Sequence, residues 1–384
     1  MNILISLTYY RPHISGLTVY NQRLAEGLAA RGHRVTVLTS RYSKELPRSE
    51  VTNGVEVVRV PVRFRIGKGV VAPSLPRAAW AAVRENDVVL LNLPNTPLES
   101  FFIPLFSRFF RRRLVSVFHC DVRLPGGIWN RVVESAVRAS SAFALLLSDA
   151  WIGYTNDYID SIGFLQRFRR KAVTIPPPIA ARSPKTEETS RFRSLHGLDG
   201  RPSIGFAGRL ASEKGIEDLL RAFPLVRAVV PDVQLLFAGE RESVIGEREY
   251  LRGLEPLFRE LEGSYRFLGL LEPERIDPFY AACAVIVLPS RNRTESFGLV
   301  QAESMLNGVP VVAADLPGVR VPVRKTGMGV LVKPGDVAEI AEAIVEVLSN
   351  RNRYLRPRAE VEAAFSLEET LDSIERLLAF RQPE

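Results

Sequence analysis

The chain has 384 residues, 46% hydrophobic and 24% charged, a balance that suits a folded protein and a length too great for one compact domain. It holds no run of 18 uninterrupted apolar residues, and its start lacks the basic segment and cleavage signature of a secretory signal, so neither membrane spanning nor export is expected. The net charge of +8 is uneven: residues 1–180 carry 24 Lys and Arg against 12 Asp and Glu, and the remainder 27 against 31, so the basic character belongs to the first half.

Short apolar strands alternate with amphipathic runs throughout, the pattern of parallel sheets covered on both faces by helices. In the first half, strands are expected at Ile3–Leu7, Val35–Thr39, Val55–Val60, Val88–Leu93, Val115–Phe118, Trp151–Tyr154 and Ala172–Ile175. Helices are expected near Leu17–Arg31, Pro97–Phe110, Gly127–Leu146 and Asp157–Phe168. The Pro- and polar-rich stretch from Pro176 to Thr189 reads as a connection. A second series of strands follows at Ile204–Ala207, Gln234–Ala238, Arg266–Leu268, Val285–Leu288, Val311–Ala313 and Val330–Val332. Leu371, Ile374, Leu377 and Leu378 fall at helical spacing within a closing helix, Leu367–Phe380. The expected fold class is α/β, with two Rossmann-like doubly wound domains: 1–178, a linker 179–200, a second domain 201–363 and a C-terminal helix within 364–384.

Two motifs carry chemistry. Glu295 and Glu303 stand eight positions apart, directly after the strand Val285–Leu288. If a helix begins near Phe297, a rise of about 1.5 Å per residue separates the two carboxylates by roughly 12 Å. The unpaired N–H groups of Phe297, Gly298, Leu299 and Val300 then lie between them and favour a diphosphate. One carboxylate would accept from sugar hydroxyls and the other from a ribose. Upstream, the strand ending at Gly208 is followed by Arg209 and Lys214, two cations at the strand's C-terminal end, suited to diphosphate oxygens. Glutamates in a first helical turn and surface cations are common, so either motif alone would also fit a solvated face.

Together the motifs resemble the retaining glycosyltransferases of family 4, which have the two-domain GT-B fold. The resemblance rests on Glu295 to Glu303 as a Glu-x7-Glu motif and on Gly208-Arg209-Leu210 with Glu213-Lys214-Gly215. The opening strand, Arg31-Gly32-His33 and Pro310-Val311-Val312 before Gly318 also match, so it extends over the whole chain. It implies two domains facing a cleft and a C-terminal segment that crosses back onto the first domain. It further implies hexosyl transfer from a nucleotide diphosphate sugar (a UDP- or GDP-sugar) to a hydroxyl of a glycan or lipid-linked acceptor, with retention and without a protein nucleophile. Glu295 would hold the donor sugar, Glu303 the ribose, and Arg209 and Lys214 the leaving diphosphate.

His119, at the end of the strand Val115–Phe118, corresponds to a family histidine that contacts the donor sugar, although a lone histidine is more often structural. Gly16, after the first strand, is the one glycine where the family shows a pair, so the loop shape there is not carried over. Gly126-Gly127 reads as a turn rather than a phosphate cradle. Neighbouring side chains on a strand point to opposite faces, which argues against a Cys120–His119 nucleophile pair.

No P-loop and no Gly-x-Gly-x-x-Gly after the first strand is present, and no Asp-x-Asp, so no metal ligand set and no cofactor are expected; the diphosphate charge would fall to Arg209, Lys214 and the helix end. Cys120 and Cys283 alone make no disulfide framework, which suits a reducing cytosol. The clusters Arg108–Arg113 and Arg167–Lys171 mix cations with aromatics, as on surfaces that meet anionic lipid, and would place the protein at the inner membrane face; as helix ends they would simply be solvated. No nucleic-acid partner is expected. The rival readings are a GT-B sugar-nucleotide epimerase, for which no proton-abstracting set beyond His119 is evident, and a basic RNA- or membrane-binding module. The latter leaves both motifs without a purpose.

Overall fold

The computed structural model describes residues 1–66, 69–123, 127–198, 200–241 and 247–380. They form two compact units: Met1–Pro178 with the tail from Leu367, and Ile179–Ser366.

Unit 1 runs β1 (Asn2–Ser6), α1 (Gly16–Ala30), β2 (Arg34–Arg41), β3 (Ser49–Thr52), β4 (Val55–Pro61), β5 (Phe64–Ile66), β6 (Gly69–Val71), α2 (Leu75–Glu85), β7 (Val88–Leu93), α3 (Pro97–Phe109), β8 (Arg113–Phe118), α4 (Ile128–Leu147), β9 (Ala150–Gly153), α5 (Asn156–Ser161) and β10 (Ala172–Thr174). Its main sheet has the order β10-β9-β8-β7-β1-β2-β4-β3. Every pairing is parallel except that of the edge strand β3 with β4. Helices cover both faces, so Ile3, Leu4 and Ile5 of β1 and Val89, Leu90 and Leu91 of β7 are all buried. That is why these strands read as continuous apolar runs rather than as alternation.

Unit 2 runs α6 (Thr186–Leu195), β11 (Ser203–Ala207), α7 (Ile216–Val229), β12 (Gln234–Ala238), α8 (Arg248–Glu260), β13 (Tyr265–Gly269), α9 (Pro273–Ala282), β14 (Val285–Leu288), α10 (Leu299–Leu306), β15 (Val311–Ala314), α11 (Arg320–Thr326), β16 (Gly329–Val332), α12 (Val337–Ser349) and α13 (Arg358–Ala364). Its six strands are parallel, in the order β13-β12-β11-β14-β15-β16. Both sheets therefore gather their βα loops at the C-terminal ends of the strands, the edge at which open parallel sheets bind ligands.

The last helix, α14 (Leu367–Ala379), returns to unit 1. Its Leu371, Ile374 and Leu378 are buried, and Arg31 at the end of α1 donates to Glu368, Asp372 and Glu375, while His33 Nε2 lies 2.8 Å from Glu375 Oε1.

Several expectations are corrected. The stretch 179–200 is not a bare linker: it belongs to unit 2 and contains α6. Phe192 of α6 is buried, with its ring 6.5 Å from that of Phe279 of α9. A helix with one buried aromatic in an otherwise polar run leaves almost no periodic signal. The helix expected over Asp157–Phe168 ends at Ser161, because Ile162 is extended, and the chain continues as a 3₁₀ helix over Gly163–Lys171. α2, β3 and the β5–β6 hairpin, whose elements are short or carry mixed polarity, have no counterpart in the sequence reading. Gly126 lies outside the described residues, while Gly127 stands at the start of α4 with φ 139°.

Candidate functional site

The two sequence motifs meet at the C-terminal ends of β11 and β14. β11 and β14 are hydrogen-bonded neighbours, which brings the loop carrying Arg209 and Lys214 beside the loop carrying Glu295. Lys214 Nζ donates to Glu295 Oε2, and Arg209 Nη2 donates to Glu213 Oε1 at 3.4 Å. These side chains retain access to solvent, so a ligand can enter the ion pairs.

Two glycines explain how the loops fit. Gly215 adopts φ 66°, and a Cβ there would lie 2.1 Å from the Pro289 carbonyl oxygen, so only glycine lets the Glu213-Lys214-Gly215 turn rest on the end of β14. Gly298 adopts φ 77°, and a Cβ would lie 2.5 Å from Leu288 Cδ2. This left-handed residue delays the helix: α10 begins at Leu299, not near Phe297. Glu295 therefore sits in the preceding turn, its N–H bonded to Asn292 O at 3.3 Å, and the helical-rise estimate of its distance from Glu303 does not apply. The first N–H groups of α10, at Leu299 and Val300, still open the helix that follows β14, where helix geometry leaves them without intrahelical partners.

Glu303 lies on α10 and is buried, with Oε2 accepting from the Tyr280 hydroxyl at 2.7 Å. Gly208 follows β11, its N–H bonded to Ala238 O at 2.8 Å, which fixes the direction of the chain into Arg209. Phe297 is buried, with its ring centroid 6.2 Å from that of Phe365. The sequence reading missed the residue that braces this assembly. Arg291 donates from Nε to Asp218 Oδ2 at 2.6 Å and also reaches Glu217, while its own N–H bonds to Glu213 O at 3.0 Å. It thus ties the start of α7 and the Arg209–Lys214 loop to the end of β14. An arginine among many exposed ones gives no sign in sequence that a buried carboxylate awaits it.

Unit 1 presents a different chemistry at its strand ends. Gly16 is the first residue of α1, and Ser15 caps the helix in a reciprocal pair with Thr18. His119 follows β8 and is buried. Asn92 Nδ2 donates to Ser6 O at 2.9 Å, which leaves Asn92 Oδ1 to accept from His119 Nε2 at 2.5 Å. His119 Nδ1 then accepts from the Tyr154 hydroxyl. Desolvation lowers its pKa to about 3, so the imidazole is neutral. Next to it, Asp121 is held by both arms of Arg138 at 3.0 and 2.9 Å.

A second buried acid, Glu99 in the first turn of α3, escaped the sequence reading. Its Oε2 accepts from Thr96 Oγ1 at 2.7 Å and Thr8 Oγ1 at 3.2 Å, yet burial raises its pKa to about 7. Glu99 and Thr96 line a small pocket with Thr39 and Ser40, and the buried Asn95 Nδ2 beside them has no hydrogen-bond partner. Cys283 is buried, which pushes its thiol upward, and Cys120 is half-buried; neither forms a disulfide.

The family model for glycosyl transferases group 1 matches residues 188–363, and that for the glycosyl transferase 4-like domain matches residues 15–178. A phosphatidyl-myo-inositol mannosyltransferase of Mycobacterium leprae is 28% identical over 356 residues, which cover 90% of this chain and 87% of the relative. Among solved structures, Alr3699/HepE of Anabaena in complex with UDP superposes with a TM-score of 0.77 at 21% identity, covering 99% of this chain and all of that one. Sucrose-phosphate synthase of Thermosynechococcus elongatus superposes at 0.79, also with 21% identity, covering 98% of both chains. With both of its units matched, one by each model, and the paired loops of β11 and β14 carrying the motifs, the chain belongs to the group 1, family 4 glycosyltransferases of GT-B fold.

Proposed function

We propose that the protein transfers a hexosyl group from a nucleotide diphosphate sugar to a hydroxyl of a lipid-linked or glycan acceptor, with retention of the anomeric configuration and without an essential metal ion. The observation that carries this reading is the convergence of Arg209, Lys214 and Glu295 at the adjoining ends of β11 and β14. When a diphosphate binds, Lys214 and Arg209 exchange part of their carboxylate pairing for phosphate oxygens, and the first N–H groups of α10 add dipolar stabilisation. The same groups stabilise the negative charge that grows as the bond from the anomeric carbon to the phosphate oxygen breaks. Glu295, released from Lys214, accepts from hydroxyls of the transferred sugar. Glu303, on α10, accepts from the ribose. The acceptor hydroxyl attacks from the face that the diphosphate leaves, and its proton passes to the departing phosphate oxygen.

Metal independence is supported by two cations standing where a divalent ion would neutralise the diphosphate, and by the lack of an Asp-x-Asp. A lipid-linked acceptor is supported by the similarity to a mannosyltransferase named for phosphatidyl-myo-inositol, and we assign the acceptor to unit 1 because the donor motifs lie in unit 2. No described helix is long and apolar enough to cross a membrane.

Isothermal titration with UDP, GDP and their sugars is the first test. A ligand at a hundred times its Kd also adds roughly 2.7 kcal/mol of stability, visible as a thermal shift. Absence of binding by every nucleotide diphosphate would overturn the proposal, and an inverted product anomer by NMR would remove the retaining mechanism.

A further inference from the structure

We propose that the C-terminal edge of the unit 1 sheet docks on an anionic lipid bilayer through two projections, the first two turns of α4 and the start of the β5–β6 hairpin. The inference rests on the reading above that the acceptor is lipid-linked.

The first projection follows from lengths. Phe143 of α4 stacks on Phe101 of α3 with ring centroids 5.1 Å apart. Both helices follow parallel strands and run back along them, so this contact sets their relative register. Before it, α3 has four residues and α4 fifteen. At about 1.5 Å per residue, α4 overhangs α3 by roughly 16 Å on the side of the strands' C-terminal ends.

The overhang is apolar where solvent would select polar residues. Ile128 is 77% exposed, Trp129 78% and Val132 54%, and Val133 is exposed as well, while the buried residues of α4 are Ser141, Ala144 and Leu145, all in its second half. At about 100° per residue the four side chains share one arc of roughly 140°. Arg131 projects from the same turns, exposed and with no ion pair among the described residues.

The second projection follows β4. Arg63, Phe64 and Arg65 open the β5–β6 hairpin, with Phe64 50% exposed and Arg65, itself exposed, donating one guanidinium N–H to Tyr42 O. In the sheet order, β8 and β4 lie on opposite sides of β1, each two strands away. The two apolar and basic projections therefore flank the loops that hold Gly16 and Glu99, and all of them belong to one sheet edge.

The chemistry selects the occupant. Trp and aliphatic side chains beside arginines suit the boundary between headgroups and acyl chains. A second copy of the chain would set Arg63, Arg65 and Arg131 against like charges, whereas an anionic bilayer complements them. The cluster Arg111–Arg113, also basic, lies at the other edge of the sheet, at the start of β8. Arg112 is engaged with Arg84 O and Arg113 with Leu377 O. A membrane bound there would be about 20 Å of strand away from the Gly16 loop.

Co-sedimentation with vesicles tests the proposal. The parent should sediment with mixed phosphatidylcholine and phosphatidylglycerol at least tenfold more strongly than with phosphatidylcholine alone, with a blue shift of Trp129 emission. Replacing Ile128, Trp129 and Val132 together with Ser should lower sedimentation at least tenfold, and Arg63→Ser with Arg65→Ser several-fold. Arg111→Ser should match the parent. Far-UV circular dichroism and nucleotide calorimetry accompany each variant. A parent that binds nucleotide but not vesicles, or a triple variant that sediments like the parent, overturns the docking surface and leaves the transferase reading intact. So does a dimer in sedimentation velocity that the triple variant abolishes, which would assign the face to a second copy. Loss of nucleotide binding by the parent instead strikes the transferase reading.

Discussion

At its strand ends, unit 2 holds ionised groups in pairs that solvent can reach: Lys214 with Glu295 and Arg209 with Glu213. At the equivalent edge, beside the ion pair of Asp121 with Arg138, unit 1 holds two groups that burial keeps neutral or near neutrality. His119 is locked between Asn92 and Tyr154, and Glu99 sits among Thr8 and Thr96. The difference follows from what each arrangement can do at low cost. A partly exposed ion pair gives up less on re-pairing than a fully buried one, so its cations can turn to an anionic ligand. A buried neutral network loses a full desolvation penalty for every hydrogen bond broken, so it holds a shape. The partly exposed pairs of unit 2 can therefore rearrange, while the buried network of unit 1 holds its shape.

The largest expected effect breaks the unit 2 side. Lys214→Ala should lower kcat by about 10²–10³, the usual loss when one donor to developing charge is removed. It should also weaken nucleotide diphosphate binding by roughly tenfold or more, as expected for a charge-assisted bond of about 1.5–3 kcal/mol. Arg209→Ala should lose comparably in binding. Unchanged diphosphate affinity in both variants by titration calorimetry would take these residues out of the site.

The unit 1 side is sharpened by pH. Glu99 titrates near 7 in the folded protein and near 4.5 when unfolded, so between those values the folded state binds the extra proton and stability falls as pH rises. The full difference amounts to about 3 kcal/mol. Glu99→Gln should therefore be progressively more stable than the parent from pH 5 to pH 7, and level above that, in denaturant melts. His119 acts in the opposite sense: it titrates near 3 folded and near 6.5 unfolded, so its contribution falls as the solution is acidified below 6.5. An NMR titration showing His119 protonated near pH 6 would contradict the buried neutral network.

A third test separates the two acids. Glu295→Gln should reduce turnover more than nucleotide affinity, because it acts on the transferred sugar, whereas Glu303→Gln should raise Kd for donor and free nucleotide alike. The reverse pattern would mean that the donor lies in the opposite direction. The smallest expected effect is none: transfer should persist in excess EDTA, and loss restored by Mg²⁺ or Mn²⁺ would end the metal-free proposal.

Apolar runs such as Ile3–Leu7 and Val285–Leu288, with glycine turns after them, determined two parallel α/β units and the placement of Arg209, Lys214 and Glu295 at strand ends. Strands buried on both faces announce themselves by composition, and βα loops then fall on one edge. Sequence spacing did not decide distances. Gly298, left-handed against Leu288, moved the start of α10 and separated Glu295 from the helix on which Glu303 rides. Nor did it show that His119 and Glu99 are desolvated, since burial depends on neighbours such as Tyr20, Asn92 and Thr8 that come from distant strands and helices. The overhang of α4 likewise required the Phe101–Phe143 register. Local patterns fix which elements form. Which charges meet, which acids stay protonated and which apolar faces remain uncovered are set by contacts far apart in sequence, and only tertiary packing supplies them.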